Sequence, residues 1–242
     1  MKRILSVCLL LAAFASVAGA QCFPFPQCGY FPHGTLPLYV QGNIATQHSG
    51  TTAVVSLSAV GANHGLIVWC AANANCNTPT ATGETFTTFT GTSGCQNSGA
   101  SIQCWLAATT AGGEASVTCS TVAAATINCA VIEFTRPLQL ATPKDAGGNG
   151  NVSSGTSFSV STSAATTVST DFVAGCSVSG GGSGAATVTS AGWTQPAALN
   201  FADANSVMAC GYITTSSTGI QTMVGNMGSA TFSNASVLAV KP

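Results

Sequence analysis

Charge is what this sequence has least of. Its 242 residues include five Lys or Arg and six Asp or Glu, 5% of the chain, where an ordinary soluble domain has about 25%. Lys2 and Arg3 sit at the extreme N-terminus, which leaves Arg136, Lys144 and Lys241 as the remaining cations. A nucleic-acid footprint needs a clustered basic face that neutralises several phosphates. Three scattered cations cannot supply one, and the same shortage excludes an anionic membrane surface. The acids Glu84, Glu114, Glu133, Asp145, Asp171 and Asp203 are equally dispersed. Glycoside hydrolysis needs two carboxylates about 5–10 Å apart across one bond, and no strand-like stretch carries a bunched pair.

Other absences narrow the chemistry further. No G-x-S-x-G, no phosphate-binding G-x-x-x-x-G-K and no C-x-x-C occurs. The three histidines, His33, His48 and His64, all precede the cysteine-rich middle, so no metal set suggests itself. No cofactor is implied. Past the N-terminus there is no apolar run long enough to span a bilayer, which takes about 20 residues. No long helical stripe appears either. The Ala-rich stretch 122–126 sits between two cysteine-bearing strands, and a single helical turn somewhere in the chain is the most to be expected.

The N-terminus itself carries information. Lys2 and Arg3 are followed by an apolar stretch over residues 4–17 and then Ala18-Gly19-Ala20. This is the pattern of an export signal cleaved before Gln21. The expected organisation is a signal peptide over 1–20, a cysteine- and aromatic-rich segment over 21–34 and a single domain over 35–242. The expected location is secreted or at the cell surface. Cysteine usage agrees. Cys8 leaves with the signal, and ten remain: Cys22, Cys28, Cys70, Cys76, Cys95, Cys104, Cys119, Cys129, Cys176 and Cys210. An even count in an exported chain reads as a disulfide framework. Cys22 with Cys28 and Cys70 with Cys76 close short loops. A hairpin turning at Gly112 places Cys104 opposite Cys119, while a competing hairpin pairs Cys119 with Cys129. Cys176 and Cys210 form a long-range bridge.

The rest is β pattern. Residues 51–60, "TTAVVSLSAV", alternate, with Val55, Leu57 and Ala59 on one face. "GLIVWC", 65–70, reads as a strand buried on both faces. Further strands are expected at 84–90, 101–107, 114–120, 127–134, 156–162, 171–178, 185–190, 206–214, 220–224 and 230–240. Two glycine-rich stretches, 143–153 and 180–184, read as loops. Short strands at near-regular spacing give the expected fold: all-β, an antiparallel two-sheet sandwich of jelly-roll type, stapled by disulfides.

The order of motifs resembles a widespread, largely uncharacterised group of exported bacterial β-sandwich domains of the jelly-roll, concanavalin-like kind. The matching pieces are "TTAVVSLSAV", "HGLIVWC", "TATGETFTTF", "GGEASVTCS", "CAVIEFTRP", a mid-chain Gly/Asn loop with Asp145, "TDFVAGCSV", "AGWT" and "ATFSNASVLAVKP". They cover residues 38–241. The resemblance implies a fold and an exported location and carries no catalytic residues.

The candidate binding residues are aromatic. Trp193 in "SAGWTQP" sits at a turn where a ring can face solvent, and Tyr212 is a similar, weaker candidate. Trp69 and Trp105 lie inside strand patterns and read as core. Phe23 and Phe25 lie in "QCFPFPQCGYFP", a segment suited to capping the domain or docking on a neighbour. Glu133, alternating with Val131 in "AVIEF", reads either as an inward-pointing acid in a cleft or as an edge position paired with Arg136 or a backbone donor. The functional expectation is a non-catalytic exported protein of adhesion, matrix or surface assembly, with self-association or a surface polymer or glycan as partner. A carbohydrate-binding module is the alternative, and a polysaccharide hydrolase using Glu133 ranks below both.

Overall fold

The computed structural model describes residues 36–89, 102–135, 139–152, 155–180, 184–228 and 233–242. The expectations for the signal, for segment 21–34 with Phe23, Phe25, Cys22 and Cys28, and for Cys95 and Arg136 fall outside these residues. Thr35–Pro242 is one compact unit.

Every strand ladder is antiparallel. The first half of the chain supplies β1 (Tyr39–Ser56), β2 (Gly65–Ala72), β3 (Thr87–Thr88), β4 (Gln103–Ala107) and β5 (Ser116–Phe134). They form one sheet in the order β1-β5-β2-β4-β3. The second half supplies β6 (Lys144–Val152), β7 (Ser157–Ser161), β8 (Phe172–Gly180), β9 (Thr187–Val188), β10 (Asn200–Ala202), β11 (Ser206–Thr214), β12 (Thr222–Asn226) and β13 (Ser233–Val240). These make a second sheet, β10-β11-β8-β13-β6, and a small third one, β7-β12-β9. The expected all-β, antiparallel, disulfide-stapled fold is therefore present. The jelly-roll expectation is not supported by the strand order. A jelly roll passes its strands between two sheets, whereas each half of this chain keeps to its own sheets.

The period-2 alternation of strands assigns each side chain to a layer. Ile67, Trp69, Ala130, Ile132 and Phe134 of the first sheet meet Phe172, Ala174, Cys176, Met208 and Leu238 of the second in one buried cluster. Trp69 Nε1 donates across this core to Ser236 Oγ at 3.0 Å. The opposite face of the second sheet, with Val173, Val207 and Val237, is covered by Phe158, Val160 and Met223 of the third. Sheets buried on both faces show near-continuous apolar strands, as β2 does.

The other face of the first sheet is covered by the first sheet's own strands. Cys119 and Cys129 both belong to β5, ten residues apart, yet their Cα atoms are 5.8 Å apart in a disulfide. A straight strand rises about 3.3 Å per residue and would separate them by about 33 Å. The β1–β5 ribbon must therefore double back. It turns where Gly50 pairs with Ala125 and Thr52 with Ser120, leaving residues 121–124 looped out. Ser49 in the adjoining turn has a positive φ of 55°. Ala53, Val55, Val117 and Cys119 of the returning part then pack on Leu66, Val68, Cys129 and Val131.

Two local expectations need correction. Cys104 does not pair with Cys119, although it is disulfide-bonded. β4 pairs with β2 and β3, while residues 108–115 cross to the overlying layer, bonded to the 57–64 crossing through Asn63 N–Thr110 O and Gly113 N–Val60 O. The Ala-rich stretch 122–126 is part of β5, and the single helical turn among the described residues is a 3-10 turn at Ala197–Leu199. The glycine-rich stretch 143–153 is largely a strand, β6, paired with β13. Its glycines permit close layer contact: a Cβ on Gly148 would collide with the Ser161 carbonyl. Cys70–Cys76 and Cys176–Cys210 are bridged as expected, the second directly across the β8–β11 ladder.

Replacing Cys119 and Cys129 together by Ser should lower unfolding free energy by about 2–3 kcal/mol, about 4–12 °C in Tm for a chain of this size. Thermal denaturation of the double variant checks this, and an unchanged Tm would show that the doubled-back ribbon does not depend on the bridge.

Candidate functional site

Glu133 is fully buried on the face of β5 beneath the doubled-back layer. Its Oε1 accepts the Gly61 N–H at 2.9 Å and lies 2.5 Å from His64 Nδ1. Its Oε2 accepts Gln41 Nε2 at 2.5 Å. Gln41 also holds Ser58, accepting its N–H and reaching its carbonyl, both at 2.9 Å. Thr110 Oγ1 donates to the Gly61 carbonyl at 2.7 Å and accepts the His64 N–H at 3.1 Å. A His oriented by a buried carboxylate is the base half of an acyl-transfer triad, which also needs a nucleophile at the ring. Thr110 is the neighbouring hydroxyl, and it bonds the backbone of His64. Three donors thus occupy Glu133, which fastens the β1–β2 crossing onto the sheet. The expected backbone donor is Gly61. Removing one partner of such a buried charge costs about 3–5 kcal/mol.

The two aromatic candidates do not share a face. Tyr212 stacks on Tyr39 at 4.6 Å and on Phe172 at 5.6 Å between ring centroids, at the margin of the core between the first two sheets. Trp193 follows a turn whose Gly192 has φ 79°. It packs with Val188 and Ile213 on the opposite side of the second sheet. The two are neighbours only through the Thr194–Tyr212 backbone bridge. Trp193 remains half-buried, while Tyr212 is committed to the ring stack. Trp69 and Trp105 are both buried.

The feature that the sequence reading did not single out is the free edge of β1. This strand of 18 residues hydrogen-bonds to β5 on one side and has no strand partner on the other among the described residues. From Leu38 to Ser56 it contains no Asp, Glu, Lys, Arg or Pro. Natural edges are usually blunted by charge, proline, short length or bulges; here bulges serve, at Tyr39/Gln41 and around Gly50, with Asn43 Nδ2 donating to the Ser56 carbonyl at 3.0 Å and His48 held by Asp203. Leu38, Val40 and Val54 are about half exposed along it. The signal was present as a charge-free run, but nothing local marks a strand as an edge.

No protein-family model matches the chain, and no curated protein or solved structure matches it. Among the described residues no helix is long and apolar enough to cross a membrane. The disulfides fit an oxidising compartment.

Three further charges, Asp145, Asp171 and Lys241, form a second buried anchor. Asp145, at the start of β6, accepts from the Thr167 N–H, from Thr167 Oγ1 at 2.6 Å and from the Val168 N–H at 3.4 Å, with Lys241 Nζ 3.5 Å away. Asp171 lies against it, fully buried. Burial, reinforced by the Asp145 carboxylate, pushes the Asp171 carboxyl up to about 8. Burial raises Asp145 too, but bonds from Thr167 and Asp171 and the Lys241 charge outweigh it and leave its carboxyl below the ordinary value. Folded Asp171 therefore keeps a proton that an unfolded chain releases near pH 4. Stability should fall as pH rises from about 4 to about 8 and then level off. Thermal unfolding across this range should show that decline, and Asp171→Asn should flatten it; an equally steep decline in the variant would contradict the assignment.

Proposed function

We propose that this chain is an exported, non-catalytic structural protein of β-sandwich type that assembles with copies of itself through the free edge of β1. The observation that carries this reading is the length of charge-free edge. Two antiparallel copies of β1 related by a two-fold axis can add backbone hydrogen bonds and meet no like charge. Leu38, Val40 and Val54 supply apolar surface beside that edge. Low net charge, formally −1 for the whole sequence, weakens the long-range repulsion that keeps proteins apart. The occupied state of Glu133 and the burial of the Asp145–Asp171 pair favour structure over catalysis. The export-type N-terminus and the disulfides support a role outside the cytoplasm, in surface assembly or matrix.

The test is the mass of residues 21–242, disulfides intact, by light scattering over a dilution series. Oligomers should form and dissociate on dilution. Val40→Lys and Val54→Lys, both at exposed sites, should each weaken association about tenfold or more, about 1.4 kcal/mol, by setting like charges across the two-fold. A strictly monomeric parent protein, or oligomers indifferent to both lysines, would contradict the proposal.

A further inference from the structure

A polar cavity opens at one end of the seam between the first and second sheets. It is lined by the ends of β2 and β8, by Thr126 and Asn128 of β5, by Asn205 and Ser206, and by Asn234 of β13. Its floor holds four polar side chains that are more than nine-tenths buried: Asn128, Ser179, Ser206 and Asn234. Its rim holds Asn73 and Asn205, both exposed. No Asp, Glu, Lys, Arg or His lines it.

The floor is organised as well as polar. Asn128 Oδ1 accepts from Thr46 Oγ1 at 2.8 Å and from Ser206 Oγ at 3.0 Å. Two hydroxyl donors fix the amide's orientation and leave its Nδ2 as the remaining donor group. The Ser179 hydroxyl is buried and meets no hydrogen-bond partner among the described residues. Ser179 Oγ has almost no accessible surface, so an occupant's hydrogen bonds fall to the amide side chains that line the cavity, Asn73, Asn128 and Asn205.

Charge and size select that occupant. An ion entering here would lose water without meeting a counter-charge. The neighbouring carboxylate, Asp203, accepts the N–H groups of Asn205 and Ser206, both at 2.8 Å, and so disfavours an anion at the rim. The cavity measures ≈ 70 Å³. At about 15 Å³ per water on this measure it holds about five, which displace roughly 150 Å³ of liquid. Ala71, Ala72 and Val178 add small apolar patches between the amides. Amides and hydroxyls interleaved with apolar patches suit the alternating O–H and C–H groups of one sugar ring.

We infer that this cavity is a binding site for a neutral, hydroxyl-rich ligand of the size of a single sugar residue. Neither Trp193 nor any residue of β1 lines it. The experiment is saturation-transfer NMR and thermal-shift titration of residues 21–242 with free glucose, galactose, N-acetylglucosamine and glycerol. At least one should bind. Asn73→Ala or Asn205→Ala, substitutions on the exposed rim, should weaken that binding tenfold or more, while Trp193→Ala leaves it unchanged. The Tm of each unliganded variant shows whether it is folded. Absence of binding by all four compounds, meaning that the cavity holds water only, would overturn the inference. So would binding indifferent to both rim variants or dependent on Trp193.

Discussion

The architecture depends on β5 closing upon itself. A strand of 19 residues is long enough to overrun any sheet in this molecule, and the Cys119–Cys129 bridge holds its two ends in different layers. This places the returning ribbon over Leu66, Val68 and Val131 and covers the face of the first sheet that does not pack on the second sheet. It also dictates where polar groups can go. The crossing from β1 to β2 has to pass beneath the returning layer, and its backbone must find partners there. Glu133, Gln41 and Thr110 supply them. The same bend carries β1 round the outside of the sheet, where its outer edge stays open.

Charge is spent inside. Glu133 with His64, and Asp145 with Asp171 and Lys241, all serve as anchors between segments distant in sequence. His48 and Asp203, 2.7 Å apart, tie β1 to the turn before β11. Few charges are left for the surface, so solvation rests on Ser, Thr, Asn and Gln. Such a surface lacks the repulsion that discourages edge-to-edge pairing. Scarcity of charge and an open edge are therefore one property seen at two scales, and the proposed assembly rests on the two together.

The strands buried on both faces were legible because their patterns are local. β2, β8, β11 and β13 fall close to where apolar runs place them, and Cys70–Cys76 closes the short loop that its spacing suggests. Readings failed where a distant partner decides. Residues 144–152 have the glycine content of a loop, yet β13 on one side and the nearby Ser161 carbonyl make that glycine strand the one that fits. The Cys104–Cys119 pairing assumed a hairpin, and the chain instead changes layer between them. Residues 51–60 showed their alternation, but the strand begins at Tyr39, and Ala53 with Val55 forms its buried set. Trp193 and Tyr212 read as separate candidates, and the strand order sends the two rings to opposite sides of the second sheet. An inward-facing Glu133 was one of two readings; its partners Gly61, His64 and Gln41 lie 69 to 92 residues away and could not be read from its neighbours.

The most direct test of the account is amide hydrogen exchange of residues 21–242 at low and high protein concentration. If copies join through the edge of β1, amides within Tyr39–Ser56 gain protection as concentration rises, while those of β8 and β13, already paired on both sides, stay unchanged. If β1 exchanges at the same rate at every concentration, or protection appears elsewhere on the surface, the β1 edge is not the site of assembly.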